Sequence, residues 1–384
     1  MYIQRQVERR IKRLLKSFPV VFVTGPRQSG KTTLLKHLFP DFAYFNLETP
    51  STLLQAKEDP LGFLSPEKII LDEAQEAPWL FSYLLELVDN QEKKVIIAGS
   101  QNLLLHDKVS QSLAGRVGIV ELFPFTLLEI KESIPQVADK AILQGFYPRI
   151  WQLKKGTRIE WYQSYLRTYL ERDVRSLKKI KDLLLFQDFI LLLAGQAGSL
   201  LNLSSISNSL GVSLTALRQW LSVLEASYLV FRLRPYFANI KKRLIKTPKL
   251  YFYDSGLLTT ILGIKNEQEL KSHPLYGQIF ENFIVADIVK NFAHLNLYGK
   301  PYFLRDKTGN ELDFLWSYSS AKLAVLEVKA SLTFNPEFVK RIDYYRQFLP
   351  IKKSFVIYKG KDLVFKNSKI LNWLNLVNFE NIFL

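Results

Sequence analysis

The first 130 or so residues alternate short runs of apolar, often β-branched residues with stretches of helical periodicity. Strands that are buried on both faces read as such continuous apolar runs, and helices between them indicate right-handed crossovers over a parallel sheet. The pattern therefore predicts a doubly wound α/β domain. The strands that it predicts are residues 20–23, 43–46, 68–71, 95–98 and 119–122.

The rest of the chain follows two different patterns. Residues 147–193 have helical periodicity, and after a polar break (195–208) residues 203–225 predict two short helices that meet at Gly211, the second capped by Ser213. Residues 228–235 then predict a strand and a wing. The C-terminal part predicts helices at 278–291 and 336–348 and strands at 302–305, 311–316, 323–329 and 353–358.

A glycine-rich segment after the first predicted strand carries the clearest chemistry. It fits G-x-x-x-x-G-K-[ST], and its candidate ATP contacts are Gly25, Pro26, Arg27, Gln28, Ser29, Gly30, Lys31, Thr32 and Thr33. The glycines let backbone N–H groups point at the phosphates, Lys31 reaches the β- and γ-phosphates, and Thr32 ligates Mg²⁺. The strand before it and the helix after it are the context that a P-loop requires.

A pair of acidic residues immediately follows a second predicted buried strand, 69–71. A carboxylate at this place is costly to bury unless a cation or a donor pairs with it. We expect Asp72 to be a magnesium ligand, directly or through water, and Glu73 to be the base that orients the attacking water. Helix capping at a strand–helix junction is the alternative role.

Three further polar residues are candidates near the nucleotide. Ser100, or else Gln101, follows the strand 95–98 and is placed to sense the γ-phosphate; a plain turn at 99–100 explains it equally well. Arg116 is a candidate arginine finger, with a surface salt bridge as the alternative. A finger acting on a neighbouring subunit would require a homo-oligomer.

Composition narrows the class of protein. The 384 residues contain no cysteine, which excludes disulfides and thiolate metal sites and fits a reducing compartment. No apolar run is long enough to span a bilayer and the N-terminus has no signal-peptide core, so the expectation is a cytoplasmic protein without a membrane partner. The net charge of +16 lies almost wholly in residues 151–384. Such an excess favours a nucleic-acid partner, most simply DNA, over a solvated basic face.

The predicted helix pair and wing concentrate part of this charge. A winged helix of this kind docks in a DNA major groove, although many such elements only join domains or contact proteins. The cationic residues concerned are Arg218, Arg232, Arg234, Lys241, Lys242, Arg243, Lys246 and Lys249, interleaved with Tyr236 and Phe237.

Nearly end to end, the chain resembles a family of prokaryotic AAA-type ATP-binding proteins. The resemblance is carried by the P-loop and by the segments 71–75, 98–100, 113–116, 145–148, 169–173, 246–257, 280–283, 311–314 and 326–329. It implies an AAA-like ATPase core, a winged-helix region and a C-terminal domain of unknown function with a restriction-endonuclease-like fold. Arg172 lies where AAA-like proteins place a nucleotide-sensing arginine; an intrahelical ion pair is the alternative.

The C-terminal constellation has the spacing D-x(13)-E-x-K of that nuclease core, in Asp313, Glu327 and Lys329. Residues 327 and 329 share one face of a strand because strand side chains alternate. In the nuclease core the two carboxylates hold Mg²⁺ and the lysine steadies the attacking water, with Glu281 as an auxiliary group. Mutual ion pairing without a metal is the structural alternative.

The sequence thus predicts an α/β protein of four parts: a P-loop AAA-like core (1–135), a helical lid or linker (136–195), a winged-helix-like region (196–250) and a nuclease-like domain (251–384). The expected function is Mg²⁺-dependent ATP hydrolysis coupled to nucleic-acid binding, with cleavage left open. The alternative is a nucleotide-switched DNA- or protein-binding regulator whose nuclease-like domain is inactive.

Overall fold

A computed structural model describes residues 2–90, 93–99, 115–153, 156–170, 182–236, 245–319 and 322–383. The chain divides into two compact units. Unit 1 comprises residues Met1–Phe125 with the short segments Ala226–Tyr228 and Ala293–Leu295. Unit 2 comprises Thr126–Glu225, Leu229–Phe292 and Asn296–Leu384.

The described strands are β1 (Val20–Thr24), β2 (Ala43–Asn46), β3 (Lys68–Asp72), β4 (Lys94–Gly99), β5 (Val117–Glu121), β6 (Val230–Pro235), β7 (Lys249–Phe252), β8 (Pro301–Arg305), β9 (Glu311–Ser319), β10 (Lys322–Lys329), β11 (Ile351–Tyr358), β12 (Leu363–Phe365) and β13 (Ser368–Asn372).

The described α-helices are α1 (Glu8–Ser17), α2 (Lys31–Leu38), α3 (Pro50–Glu58), α4 (Pro60–Phe63), α5 (Leu80–Asn90), α6 (Ala138–Gln144), α7 (Arg158–Tyr169), α8 (Leu183–Ala194), α9 (Leu203–Leu210), α10 (Leu214–Ala226), α11 (Ser255–Ile261), α12 (Glu267–Ser272), α13 (Tyr276–Leu295), α14 (Lys340–Arg346) and α15 (Phe379–Phe383). Short 3-10 helices cover Ala74–Glu76, Pro148–Gln152, Pro336–Val339 and Trp373–Asn378.

Unit 1 is built on a five-stranded parallel sheet of order β2-β3-β4-β1-β5. Alternate residues of β1 pack into two hydrophobic cores, one on each face of the sheet. Val20 and Phe22 belong to one core, and Val21 and Val23 belong to the other. Burial on both faces is why these strands read as unbroken apolar runs. The predicted parallel α/β sheet is confirmed, and the five predicted strands match β1–β5 within two residues at each end.

Unit 2 contains an eight-stranded mixed sheet of order β12-β13-β11-β10-β9-β8-β6-β7. Strands β8, β9 and β10 are antiparallel neighbours, whereas β10 and β11 are parallel. Helix α14 lies against a core that includes Val325 and Val356. Phe292 of α13 packs on Phe314 and Trp316 of β9. The predicted order of helix, three strands, helix and strand is therefore present.

The helix pair α9–α10 also forms as predicted. Gly211 adopts a φ of 66° at the end of α9, a conformation that favours glycine. The Ser213 hydroxyl accepts a hydrogen bond from the Ala216 N–H at 3.3 Å. Strands β6 and β7 follow as an antiparallel pair. Across the described ranges, no helix is both long enough and apolar enough to cross a membrane.

Candidate functional site

The loop between β1 and α2 has the backbone geometry of a phosphate-binding loop. Gly25 has a φ of 147°, and a Cβ there would lie 2.1 Å from the Leu122 carbonyl oxygen, so only glycine fits. Gly30 has a φ of 94° and is the N-cap residue immediately before α2. The Ser29 hydroxyl is fully buried and has no hydrogen-bond partner. The loop therefore leads directly into a helix N-terminus, which favours anions.

Two side chains at the start of α2 supply an ammonium group and a hydroxyl group beside this loop. The Lys31 ammonium is buried and donates to the carbonyls of Gly25 at 2.9 Å and Pro26 at 2.8 Å. The Thr32 hydroxyl donates to Asp72 Oδ2 at 2.6 Å. The hydroxyl and the carboxylate that were predicted to share a magnesium ion thus lie side by side. Thr33 is exposed on the next position of the helix.

Asp72 is held by further donors at the end of β3. It is 2 % exposed and accepts from the Tyr44 hydroxyl at 2.8 Å and from the Glu73 N–H at 3.0 Å. Burial, together with the hydrogen bond to Asp72, raises the Tyr44 pKa well above its ordinary value. The Tyr44 hydroxyl therefore stays protonated and remains a donor to the carboxylate.

Glu73 occupies an unusual backbone conformation. Its φ of 52° is in the left-handed region, and its carboxylate accepts a hydrogen bond from the Gln75 amide. A non-glycine residue with such a φ costs free energy and is often found at a functional site. The side chain is half-buried, which leaves part of the carboxylate accessible.

Arg5 is a residue of this site that the sequence patterns did not indicate. It lies just before α1 and is only 4 % exposed. Its Nη1 donates to the Ser29 carbonyl at 2.9 Å, and its Nη2 donates to the Phe123 carbonyl at 2.6 Å. The guanidinium also lies 4.7 Å from the centroid of the Phe125 ring. Arg5 thus ties the P-loop to the segment after β5.

The candidate arginine finger lies at the other edge of the sheet. Arg116 immediately precedes β5, and its carbonyl accepts from the Val20 N–H at the start of β1. Five strand residues separate this edge from the P-loop, which is about 17 Å at 3.3 Å per residue. Within one chain Arg116 is therefore remote from the P-loop. Ser100, Gln101 and Arg172 lie outside the described residues.

Unit 2 holds a second cluster of charged side chains around a pocket of about 560 Å³. Glu281 comes from α13, Glu311 and Asp313 from β9, and one carboxylate oxygen of each lies within 4.8 Å of the others. The remaining charged residues that line the pocket are Lys249, Arg305, Lys329 and Arg341. The structure therefore brings Glu281, Asp313 and Lys329 together as predicted, and adds Lys249 and Glu311.

The predicted D-x(13)-E-x-K residues are in contact with one another. Lys329 Nζ lies 2.6 Å from Glu327 Oε2 and 3.7 Å from Asp313 Oδ2. The Val328 N–H donates to Asp313 Oδ2 at 2.8 Å. Glu327 is fully buried, and its Oε1 has no hydrogen-bond partner. Burial, with the nearby charge of Asp313, raises the Glu327 pKa to about 8, whereas the Lys329 ammonium acts in the opposite direction.

Lys249 has a different place from the one expected for a wing residue. It is 2 % exposed and donates to Glu281 at 2.6 Å and to Glu311 at 2.7 Å. Burial alone would lower its pKa, but the surrounding carboxylates hold the pKa well above its ordinary value. The expectation that Lys249 contacts a phosphate on the surface is therefore wrong, because the neighbouring carboxylates draw it inward.

Of the other cations of the helix pair and wing, Arg218 on α10, Arg234 and Lys246 are exposed. Arg232 is exposed as well, but it makes a two-pronged ion pair with Glu225 at 2.6 and 2.7 Å. Tyr236 packs on Tyr302 rather than projecting as a free aromatic. Lys241, Lys242, Arg243 and Phe237 lie outside the described residues.

Three segments of the chain match known protein families. Residues 17–131 match the AAA domain family, residues 136–268 match a domain of unknown function (DUF8612), and residues 276–377 match another (DUF4143). The uncharacterized proteins Rv2008c of Mycobacterium tuberculosis and Mb2031c of Mycobacterium bovis are each 31 % identical over 365 residues, which is 93 % of this chain and 80 % of theirs. The chain belongs to the family of these mycobacterial proteins.

The match over residues 17–131 makes this family member an AAA-type ATP-binding protein with a P-loop ATPase domain, as the resemblance implied. Among solved structures it resembles the Walker-type ATPase PABY2304 of Pyrococcus abyssi, with a TM-score of 0.48 and 17 % identity. That similarity covers 68 % of this chain and 96 % of the other. The winged-helix and nuclease-like assignments stay predictions.

Proposed function

We propose that this AAA-type ATPase hydrolyses Mg²⁺-ATP with Asp72 as the magnesium-side carboxylate and Glu73 as the base that orients water. The supporting observation is the contact of Thr32 with Asp72 at 2.6 Å, beside a buried Lys31 on the P-loop. Mg²⁺, when bound, neutralises charge on the β- and γ-phosphates. Lys31 of the P-loop binds the phosphates. Thr32 of the P-loop and Asp72 at the end of β3 supply the hard oxygen donors that suit Mg²⁺.

The contact with Gln75 supports the proposed role of Glu73. The amide of Gln75 donates a hydrogen bond to one oxygen of the Glu73 carboxylate, and the Glu73 backbone is left-handed. A carboxylate so placed takes the proton of the attacking water or orients it.

The test compares Glu73→Gln with Lys31→Ala and with Glu76→Gln, which changes an exposed acid three residues further on. We expect Glu73→Gln to bind ATP as the wild type does and to release phosphate about 10²–10⁴-fold more slowly. Lys31→Ala should lose binding, and Glu76→Gln should leave both unchanged. Undiminished phosphate release by Glu73→Gln would remove the assignment.

Arg116 enters this proposal as a finger supplied by a second copy of the chain. Its position at the opposite end of the strands excludes contact with the P-loop of the same unit, and its side chain is half-buried there. The activity per chain should then rise with protein concentration and fall in Arg116→Ala. A monomer with full activity would exclude the role.

We further propose that unit 2 binds nucleic acid and that ATP hydrolysis is coupled to this binding. The charge excess in residues 151–384 and the exposed Arg218, Arg234 and Lys246 on or beside the α10–β6–β7 region support it. Phosphate contacts release counterions, so affinity should fall steeply as salt rises. Replacing Arg218 and Arg234 by alanine should reduce the slope of log affinity against log salt concentration by the amount expected for the loss of about two phosphate contacts. A flat salt dependence in the wild type would refute an electrostatic interface.

A further inference from the structure

Lys249 places an ammonium group inside the acidic cluster of unit 2. The residue begins β7, and its backbone is fixed by pairing with β6 and by a bridge to Leu200. Its side chain is 2 % exposed, and Nζ is within 2.7 Å of oxygens from both Glu281 and Glu311. The cation is therefore part of the folded core and not a surface lysine that happens to fall near two acids.

The same carboxylates are those that a divalent cation would need. Glu281, Glu311 and Asp313 are the three residues whose carboxylate oxygens come close enough together to hold a metal in the described part of the chain. Mg²⁺ requires about six oxygens at close to 2.0–2.1 Å in near-octahedral order. Two of these three carboxylates already coordinate the Lys249 ammonium. The ammonium would repel a divalent cation at this point, and one oxygen of each of these two carboxylates already accepts a hydrogen bond from it.

The remaining contacts also satisfy the carboxylates without a metal. The Tyr251 hydroxyl donates to Glu281 Oε1 at 2.7 Å, and Arg305 donates to Glu311 Oε2 at 3.0 Å. Asp313 accepts from the Val328 N–H and faces Lys329. Buried carboxylates are stable when charge and hydrogen bonds are supplied in this way.

We propose that Lys249 takes the place of a divalent cation in the acidic cluster of unit 2, so that the native chain holds these carboxylates together without a metal. The inference goes beyond ATP hydrolysis and nucleic-acid binding, and it does not depend on either. Its consequence is that a metal-dependent reaction cannot use the cluster of Glu281, Glu311 and Asp313 while Lys249 is in place. Replacing Lys249 by a neutral side chain of similar length should convert the cluster into a metal site.

The experiment measures Mn²⁺ binding to the full, nucleotide-free chain by the loss of the free-ion EPR signal. The variants are Lys249→Met, the double variant Lys249→Met with Asp313→Asn, and Lys340→Met as a matched control, since Lys340 is an exposed lysine paired with Glu337. We expect Lys249→Met to bind Mn²⁺ at least about tenfold more tightly than the wild type. The double variant should lose that gain, and Lys340→Met should behave as the wild type.

Two results would overturn the proposal. One is tight Mn²⁺ binding by the wild type that disappears in Asp313→Asn alone. The other is a folded Lys249→Met chain, with ATPase activity retained, that gains no affinity for Mn²⁺. If Lys249→Met does not fold, the melting temperature of the wild type decides: a Mn²⁺-dependent rise that Asp313→Asn removes contradicts the proposal, and its absence supports it.

Discussion

Replacing Arg5 by alanine should weaken ATP binding although Arg5 lies outside the P-loop motif. The substitution removes the two hydrogen bonds that join the Ser29 carbonyl to the Phe123 carbonyl through one guanidinium. It also removes the contact with the Phe125 ring. The P-loop then loses its tie to the segment after β5, and binding ATP has to restore the order that Arg5 provides.

The magnitude follows from these contacts. Each hydrogen bond from a charged donor contributes about 1.5–3 kcal/mol, and the contact with the ring adds about 0.5–2 kcal/mol. Desolvation of the buried guanidinium offsets part of that sum. We expect a loss of about 2–4 kcal/mol in the free energy of unfolding for unit 1. If ordering the P-loop in Arg5→Ala costs about 1.4 kcal/mol when ATP binds, the Kd for ATP rises tenfold.

The assay is a titration with a fluorescent ATP analogue, together with steady-state hydrolysis. Arg9→Ala is the control, because Arg9 is an exposed arginine at the start of α1. A positioning role raises KM about tenfold and leaves kcat within about threefold, since saturating ATP restores the loop. Arg5→Lys should recover part of the affinity. Unchanged KM and melting temperature in Arg5→Ala would refute the reasoning.

Two further predictions concern the close approach of Gly25 to a neighbouring carbonyl and the buried carboxyl of Asp287. Gly25→Ala should abolish ATP binding, as a dialysis or filter-binding assay would show, because its Cβ would collide with the Leu122 carbonyl; normal binding would contradict the loop geometry. Burial raises the Asp287 pKa from 3.8 to about 6, so the folded chain keeps a proton that the unfolded chain releases. Stability should therefore fall as pH rises from about 4 to about 6, and Asp287→Asn should flatten that part of the melting-temperature profile. An equally steep profile in the variant would rule Asp287 out as its source.

The P-loop and the elements around it could be predicted from the sequence because the residues that indicate them are neighbours along the chain. The P-loop motif, the strand before it and the helix after it are contiguous, and parallel strands bring Asp72 to the edge where Thr32 lies. The same holds for the C-terminal strands, where period-two alternation correctly placed Glu327 and Lys329 on one face.

Arg5 and Lys249 could not be predicted because their partners are distant in sequence. Arg5 contacts a carbonyl 118 residues away, and Lys249 contacts a carboxylate 62 residues away. For a single Arg or Lys in a basic chain, the sequence alone predicts a side chain that is exposed to solvent. Its burial depends on the carboxylates or carbonyls that the tertiary fold brings to it.

The position of β6 and β7 in the sheet has a consequence for dissecting the protein. β6 pairs in parallel with β8 through Arg234 and Tyr302, so the helix-pair region and the C-terminal strands share one sheet. A fragment that begins at residue 251 would lose β6 entirely and expose the hydrogen-bonding edge of β8 to other chains. It would also leave Glu281 and Glu311 without their buried ammonium. Such a fragment should be prone to aggregation, whereas one that begins near residue 126 retains the whole sheet.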